Sequence, residues 1–135
     1  MTKKGSILIV EDEGVIALHL QEILQNSGYN VPDPVASGEG AIEYMLYTFP
    51  PDLILMDIIL DGMIDGIETA NEIRKLSDIP ILFLSAHPAT EQIAVMNRIA
   101  PCSYLRKPFM AFEVISAVEK TLHRTADCPT VNAGA

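Results

Sequence analysis

Five short apolar runs, each followed by a stretch of helical period, constrain this chain more than any other feature. "SILIV" (6–10) is a continuous, β-branched run of the kind found in strands buried on both faces. In "EGVIALHLQEILQNSG", Ile16, Leu20, Ile23 and Leu24 recur at helical spacing, and Gly28 is a natural stop. "YNVPDPVAS" (29–37) reads as an extended second strand. Its Pro32 and Pro34 cannot donate to a ladder, so it is expected at a sheet edge. "GEGAIEYMLYTF" is a short helix closed by Pro50 and Pro51, and "DLILMD" (52–57) is the third strand. "IILDGMIDG" carries two Asp-Gly turn signals and leads into the helix "IETANEIRKLS". "IPILFLS" (79–85) is the fourth strand, "PATEQIAVMNRI" (88–99) a helix, and "CSYLRK" (102–107) a short fifth strand. "FMAFEVISAVEKTLHR" closes the domain, which is expected to span residues 6–124. The tail 125–135 has little apolar content and is expected to fray.

The order βαβαβαβαβα implies an α/β fold, a parallel sheet doubly wound with helices on both faces. At 135 residues, 49% of them hydrophobic, the chain has material for one core. Its apolar runs fall far short of the roughly 20 residues a membrane span needs. "MTKKG" is followed by too short an apolar stretch for a secretory signal, so a cytoplasmic protein with no membrane contact is expected. The net charge of −9 repels phosphate backbones, so no nucleic-acid binding is expected of this chain. Cys102 and Cys128 form no motif. The reduced state is the default expectation, with Cys102 a small core residue.

In a parallel sheet, ligands bind beyond the carboxyl ends of the strands. Strand one ends in "VEDE" with Glu11, Asp12 and Glu13; strand three ends in Asp57, strand four in Ser85, and strand five in Lys107 before Pro108. Asp57 stands in the apolar run "LILMDIIL", where an unpaired charge within the sheet would cost several kcal/mol, on the order of its desolvation. The strand reading moves it to the rim. Asp12 and Asp57 as neighbours repel unless a cation joins them, and Mg²⁺ is commonly held by one or two carboxylates, waters and a phosphate. Lys107 adds a positive charge and Ser85 a hydroxyl. "SGEGA" lacks the pattern of a nucleotide cradle. The set suits one metal and one phosphoryl group beside a carboxylate that can attack phosphorus.

"ILIVEDE", "LILMDIIL…DGIE", "ILFLSAH" and "YLRKPF" together resemble a response-regulator receiver domain of two-component signalling. Each motif is weak alone. In order, with Asp12, Asp57, Ser85 and Lys107 separated by 45, 28 and 22 residues, they are specific. The resemblance implies a flavodoxin-like (βα)5 fold with five strands in the order 2-1-3-4-5. It implies Asp57 as phosphoacceptor, Asp12 as a direct Mg²⁺ ligand, Glu11 as a ligand through water, and Ile59 as a ligand through its backbone carbonyl. Ser85 would bond the phosphoryl group and shift toward it, and Lys107 would pair with another phosphoryl oxygen. Tyr104 holds the position of an aromatic that turns inward on activation, and the Lys107–Pro108 bond would be cis. The implied donor is a histidine kinase or phosphotransfer protein. The implied output is a face made by the fourth helix, fifth strand and fifth helix, through which two copies could form a homodimer. The protein would be a signalling phosphoacceptor with only self-phosphorylation and autodephosphorylation chemistry, not an enzyme, and no DNA-binding output domain is expected in this chain.

The acidic pair is Glu-Asp where many members have Asp-Asp, and Ser85 replaces a commoner Thr. Ile59 and His87 hold positions that influence dephosphorylation rate in the family. His19 and His123 read as surface or boundary residues, His87 as a loop residue, and Asp61 and Asp65 as turn formers. A phosphorylation-independent module would be favoured by loss of Asp12, Asp57 or Lys107, and all three are present. A phosphatase of the haloacid-dehalogenase type would show a second Asp two residues after the nucleophile, where Ile59 stands. A flavin-binding relative would have a Ser, Thr and Gly-rich loop in place of "EDEG".

Overall fold

The apolar runs pair as parallel neighbours in a four-stranded sheet: β1 (Ile7–Val10), β2 (Leu53–Asp57), β3 (Ile81–Ser85) and β4 (Cys102–Arg106), in that spatial order. The helices are α1 (Gly14–Asn26), α2 (Gly38–Tyr47), α3 (Gly66–Arg74) and α4 (Ala111–Leu122). This computed structural model describes residues 4–86, 99 and 102–123. The predicted helix 88–99, apart from Ile99, lies outside the described residues, as do His87, Arg124 and the tail 125–135.

Because strand side chains alternate between faces, each run divides its residues between two cores. Leu8, Val10, Ile54, Met56, Ile81, Phe83, Cys102 and Tyr104 pack on one side with Ala41 of α2 and Ile67, Ala70 and Ile73 of α3. Ile7, Ile9, Leu53, Leu55, Leu82, Leu84 and Leu105 pack on the other with Ala17, Leu20 and Leu24 of α1 and Val114, Ala117 and Val118 of α4. The sheet is thus covered on both faces, and its strands need no polar side. Among the described residues, no helix is long and apolar enough to cross a membrane.

The expected second strand does not form as a strand, although its segment keeps the edge position beside β1 that the order 2-1-3-4-5 gives it. Among the described residues the sheet has four strands, and the segment expected as the second strand makes only two isolated parallel bridges, Ser6 with Asn30 and Val10 with Val35. It runs beside β1, bonded at its two ends: Ile7 N–H donates to Asn30 O, Val35 N–H to Ile9 O and Glu11 N–H to Val35 O. Pro32 and Pro34 fall between these contacts. A proline has no N–H to give, so the ladder cannot run through them. The reduced state expected for Cys102 is corrected as well: it is buried in the core and disulfide-bonded, a bond that no spacing motif in the sequence signals.

Candidate functional site

Parallel pairing brings the carboxyl ends of all four strands to one edge. Met56 is level with Val10, Asp57 with Leu84, and Ser85 with Arg106. The next residues after β1 are Glu11 and Asp12, and the next after β4 is Lys107, whose N–H donates to Ser85 O at 2.8 Å. The Lys107–Pro108 peptide is cis.

Asp57 is 5% exposed, and both of its carboxylate oxygens are engaged. Lys107 Nζ lies 3.2 Å from Oδ2. The Ile59 N–H donates to Oδ1 at 3.1 Å. The carboxylate is therefore held between a fixed positive charge and a backbone donor. Asp12 is half-buried, and its Oδ2 accepts the Asp61 N–H at 2.9 Å. The loop after β2 thus donates to both aspartates, through Ile59 and Asp61.

Glu11 is 2% exposed, and neither of its carboxylate oxygens has a hydrogen-bond partner. An unpartnered buried carboxylate is expensive, and the group responds by holding its proton. Burial pushes the Glu11 carboxyl up to about 8; nearby Asp57 adds to the rise and Lys107 opposes it. Once protonated, Glu11 can donate to Asp57, and that hydrogen bond also raises its pKa. One ligand atom from each of Glu11, Asp12 and Asp57 lies within 4.8 Å of the others. Three hard oxygen donors, with buried Glu11 unpartnered in its ionised form, fit a divalent cation such as Mg²⁺.

Above this floor opens a cleft of about 350 Å³ lined by Asp12, Glu13, Asp57, Ile59, Asp61, Ser85, Ala86 and Lys107. The expected site residues Glu11, Asp12, Asp57, Ile59, Ser85 and Lys107 are thus brought together. The Ile59 side chain is largely exposed at the cleft rim, and its backbone N–H reaches Asp57. Ser85 is buried at the rim of β3. Tyr104 is not at the cleft. It is buried in the core beside Phe83 on the neighbouring strand. Asp65 caps α3: its Oδ1 accepts the Glu68 N–H at 2.8 Å while Glu68 Oε1 accepts the Asp65 N–H at 3.1 Å. That is the turn chemistry expected of it.

Two contributors were not read from the sequence. One is the Asp61 backbone N–H on Asp12. The other is Gly66, where a Cβ would collide with the Asp57 carbonyl oxygen and the Ile58 Cα. Gly66 N–H donates to Ile58 O at 2.8 Å, so the start of α3 is pressed directly against the backbone of the phosphoacceptor candidate. The glycine in "DGIE" was visible, but its meaning as a close approach, rather than a turn, needed the tertiary structure.

An open, metal-compatible acidic cleft with a lysine-paired aspartate, at the carboxyl edge of a doubly wound sheet, defines a class of phosphate-accepting signalling domain. The chain belongs to the response regulator receiver domain family, whose family model matches residues 7–119. Among curated proteins it is similar to the transcriptional regulatory protein BaeR of Escherichia coli O6:H1, 36% identical over 118 residues, which are 87% of this chain and 48% of that protein. It is also 32% identical to the transcriptional regulatory protein PdtaR of Mycobacterium tuberculosis, over 87% of this chain and 57% of that one. The chain therefore spans about half the length of the curated relatives it matches. A solved N-terminal domain of a response regulator/sensory box/GGDEF three-domain protein from Carboxydothermus hydrogenoformans superposes with a TM-score of 0.77 at 36% identity, covering 87% of this chain and 93% of that one.

Proposed function

We propose that residues 6–124 act as a receiver that takes a phosphoryl group onto Asp57 from a histidine kinase or phosphotransfer protein in the cytoplasm. The observation that carries this reading is the pairing of Asp57 with Lys107 at 3.2 Å, at the floor of an open cleft shared with Asp12 and against the buried Glu11. A carboxylate oxygen of Asp57 attacks the phosphorus of a phosphohistidine; the O–P bond forms, the P–N bond breaks, and the imidazole leaves carrying a proton. Lys107 faces the oxygen charge that the phosphoryl group brings. The Ile59 N–H keeps the Asp57 carboxylate turned toward the cleft. Glu11, Asp12, Asp57 and the Ile59 carbonyl would hold Mg²⁺, which when bound neutralises phosphoryl oxygen charge.

Ser85 is the hydroxyl in reach of a phosphoryl group on Asp57, since it lines the same cleft. Tyr104 is the buried aromatic on β4 that would couple the site to a surface shared by the predicted helix 88–99, β4 and α4. Pairing of two copies through that face, or binding of a partner protein there, is the proposed output. The test is an amide spectrum recorded with beryllofluoride, with and without Mg²⁺. Wild type should show Mg²⁺-dependent shifts centred on residues 57–61, 85 and 107, and Asp57→Asn should not. An equal response from the variant would overturn the assignment.

A further inference from the structure

The segment "SGEGA", which fails as a nucleotide cradle, carries a carboxylate with a different task. Ser37 caps α2 by accepting the Gly40 N–H, and Glu39 follows in the first turn. Glu39 Oε1 accepts two backbone N–H groups from the loop after β2: Met63 at 3.1 Å and Ile64 at 3.2 Å. Gly38 makes the approach possible, because a Cβ there would collide with Thr69 Oγ1 and the Ile64 side chain. The same loop donates inward, from Ile59 to Asp57 and from Asp61 to Asp12. Residues 59–64 therefore form a short strap. One end is tied to the two aspartates, and the other is clasped by Glu39 from a different helix.

We infer that Glu39 is a positioning residue for the cation site, acting through this strap by holding Met63 and Ile64 so that the Asp61 N–H stays on Asp12. The inference rests on the proposed metal reading. Its mechanism is placement of both donors on one oxygen, which a glutamine at 39 would also supply, and the glutamine variant separates that placement from charge. A glutamine offers the same oxygen without the charge, whereas an alanine offers nothing. Groups outside the ligand shell that orient it typically alter metal affinity when removed.

The experiment compares wild type, Glu39→Gln and Glu39→Ala. Hydrogen exchange at the amides of Asp61, Met63 and Ile64 is measured without metal, and Mg²⁺ affinity by titration. Glu39 is exposed, so the variants should fold, and circular dichroism melts check this. Glu39→Ala should speed exchange at Met63 and Ile64 directly and at Asp61 by transmission. It should weaken Mg²⁺ binding about threefold to tenfold, below the range for partners in direct contact with ligands. Glu39→Gln should stay within about twofold of wild type in both readouts, on the same reasoning. Unchanged Asp61 exchange in Glu39→Ala overturns the transmission, and a glutamine variant as weak as the alanine one overturns the hydrogen-bond mechanism. If wild type itself shows no Mg²⁺ response, the metal reading fails, and the Asp61 exchange alone decides whether the strap transmits.

Discussion

Glu11 makes the metal-free domain sensitive to pH in a direction that can be worked out. Its ordinary carboxyl value is 4.5, and in the fold burial pushes it up to about 8. Between those two values the folded state holds a proton that the unfolded state has released. Stability without metal should therefore be full below pH 4.5, fall as pH rises, and level off above about 8. The limiting slope is roughly 1.4 kcal/mol per pH unit, so the whole window amounts to a few kcal/mol. That is a large share of the roughly 5–15 kcal/mol by which domains are stable. A cation needs the ionised carboxylate, so binding below pH 8 must expel a proton. Apparent Mg²⁺ affinity should then strengthen by up to about tenfold per pH unit from 6 to 8. Urea unfolding in a chelator across pH 5–8.5 reads the first effect. Calorimetric titration in buffers of different ionisation enthalpy counts the protons for the second. Glu11→Gln, which cannot ionise, should flatten the stability slope and raise stability at pH 8. The same slope in wild type and variant, or no proton release near pH 6.5, would refute the reasoning.

Other substitutions separate chemistry from scaffold. Lys107→Met leaves the 5%-exposed Asp57 with only the Ile59 N–H; phosphorylation by acetyl phosphate should slow by at least about tenfold, and the urea midpoint should fall by about 1–3 kcal/mol of stability. Gly66→Ala drives a methyl group into the Asp57 backbone; it should destabilise by about 1–3 kcal/mol in urea and also slow phosphorylation, because Asp57 must move. Arg74 donates to the carbonyls of Ile99, Ser77 and Ile79 at 2.7–2.9 Å, so Arg74→Met should cost about 2–4 kcal/mol in urea unfolding with little change in Mg²⁺ affinity.

Much of the fold was legible because buried parallel strands leave dense apolar runs. Ile7 to Val10, Leu53 to Met56 and Ile81 to Leu84 could hardly sit elsewhere. The site was legible for a related reason: Asp12, Asp57, Ser85 and Lys107 each interrupt or follow such a run, and parallel pairing sends every run's end to one edge. The edge position of segment 29–37 is legible from Pro32 and Pro34, but not that these prolines leave only its ends able to bond β1, so that no strand forms there. The family resemblance picked Asp12 and Glu11 out of "EDE", but not the burial that sets Glu11 apart. The three acids look alike, yet only Glu11 is sealed under the cleft. Gly66 and Glu39 act through contacts with distant segments, which no local pattern reveals.

Everything proposed for the cleft depends on Asp57 accepting the phosphoryl group. The most direct test is intact-mass measurement after incubation with acetyl phosphate, with and without Mg²⁺, followed by peptide mapping of the modified position. The expected result is a Mg²⁺-dependent gain of one phosphoryl group on Asp57, absent from Asp57→Asn and lost on brief treatment with hydroxylamine, as an acyl phosphate should be. A gain that persists in Asp57→Asn, or no gain in wild type with Mg²⁺ present, would contradict it.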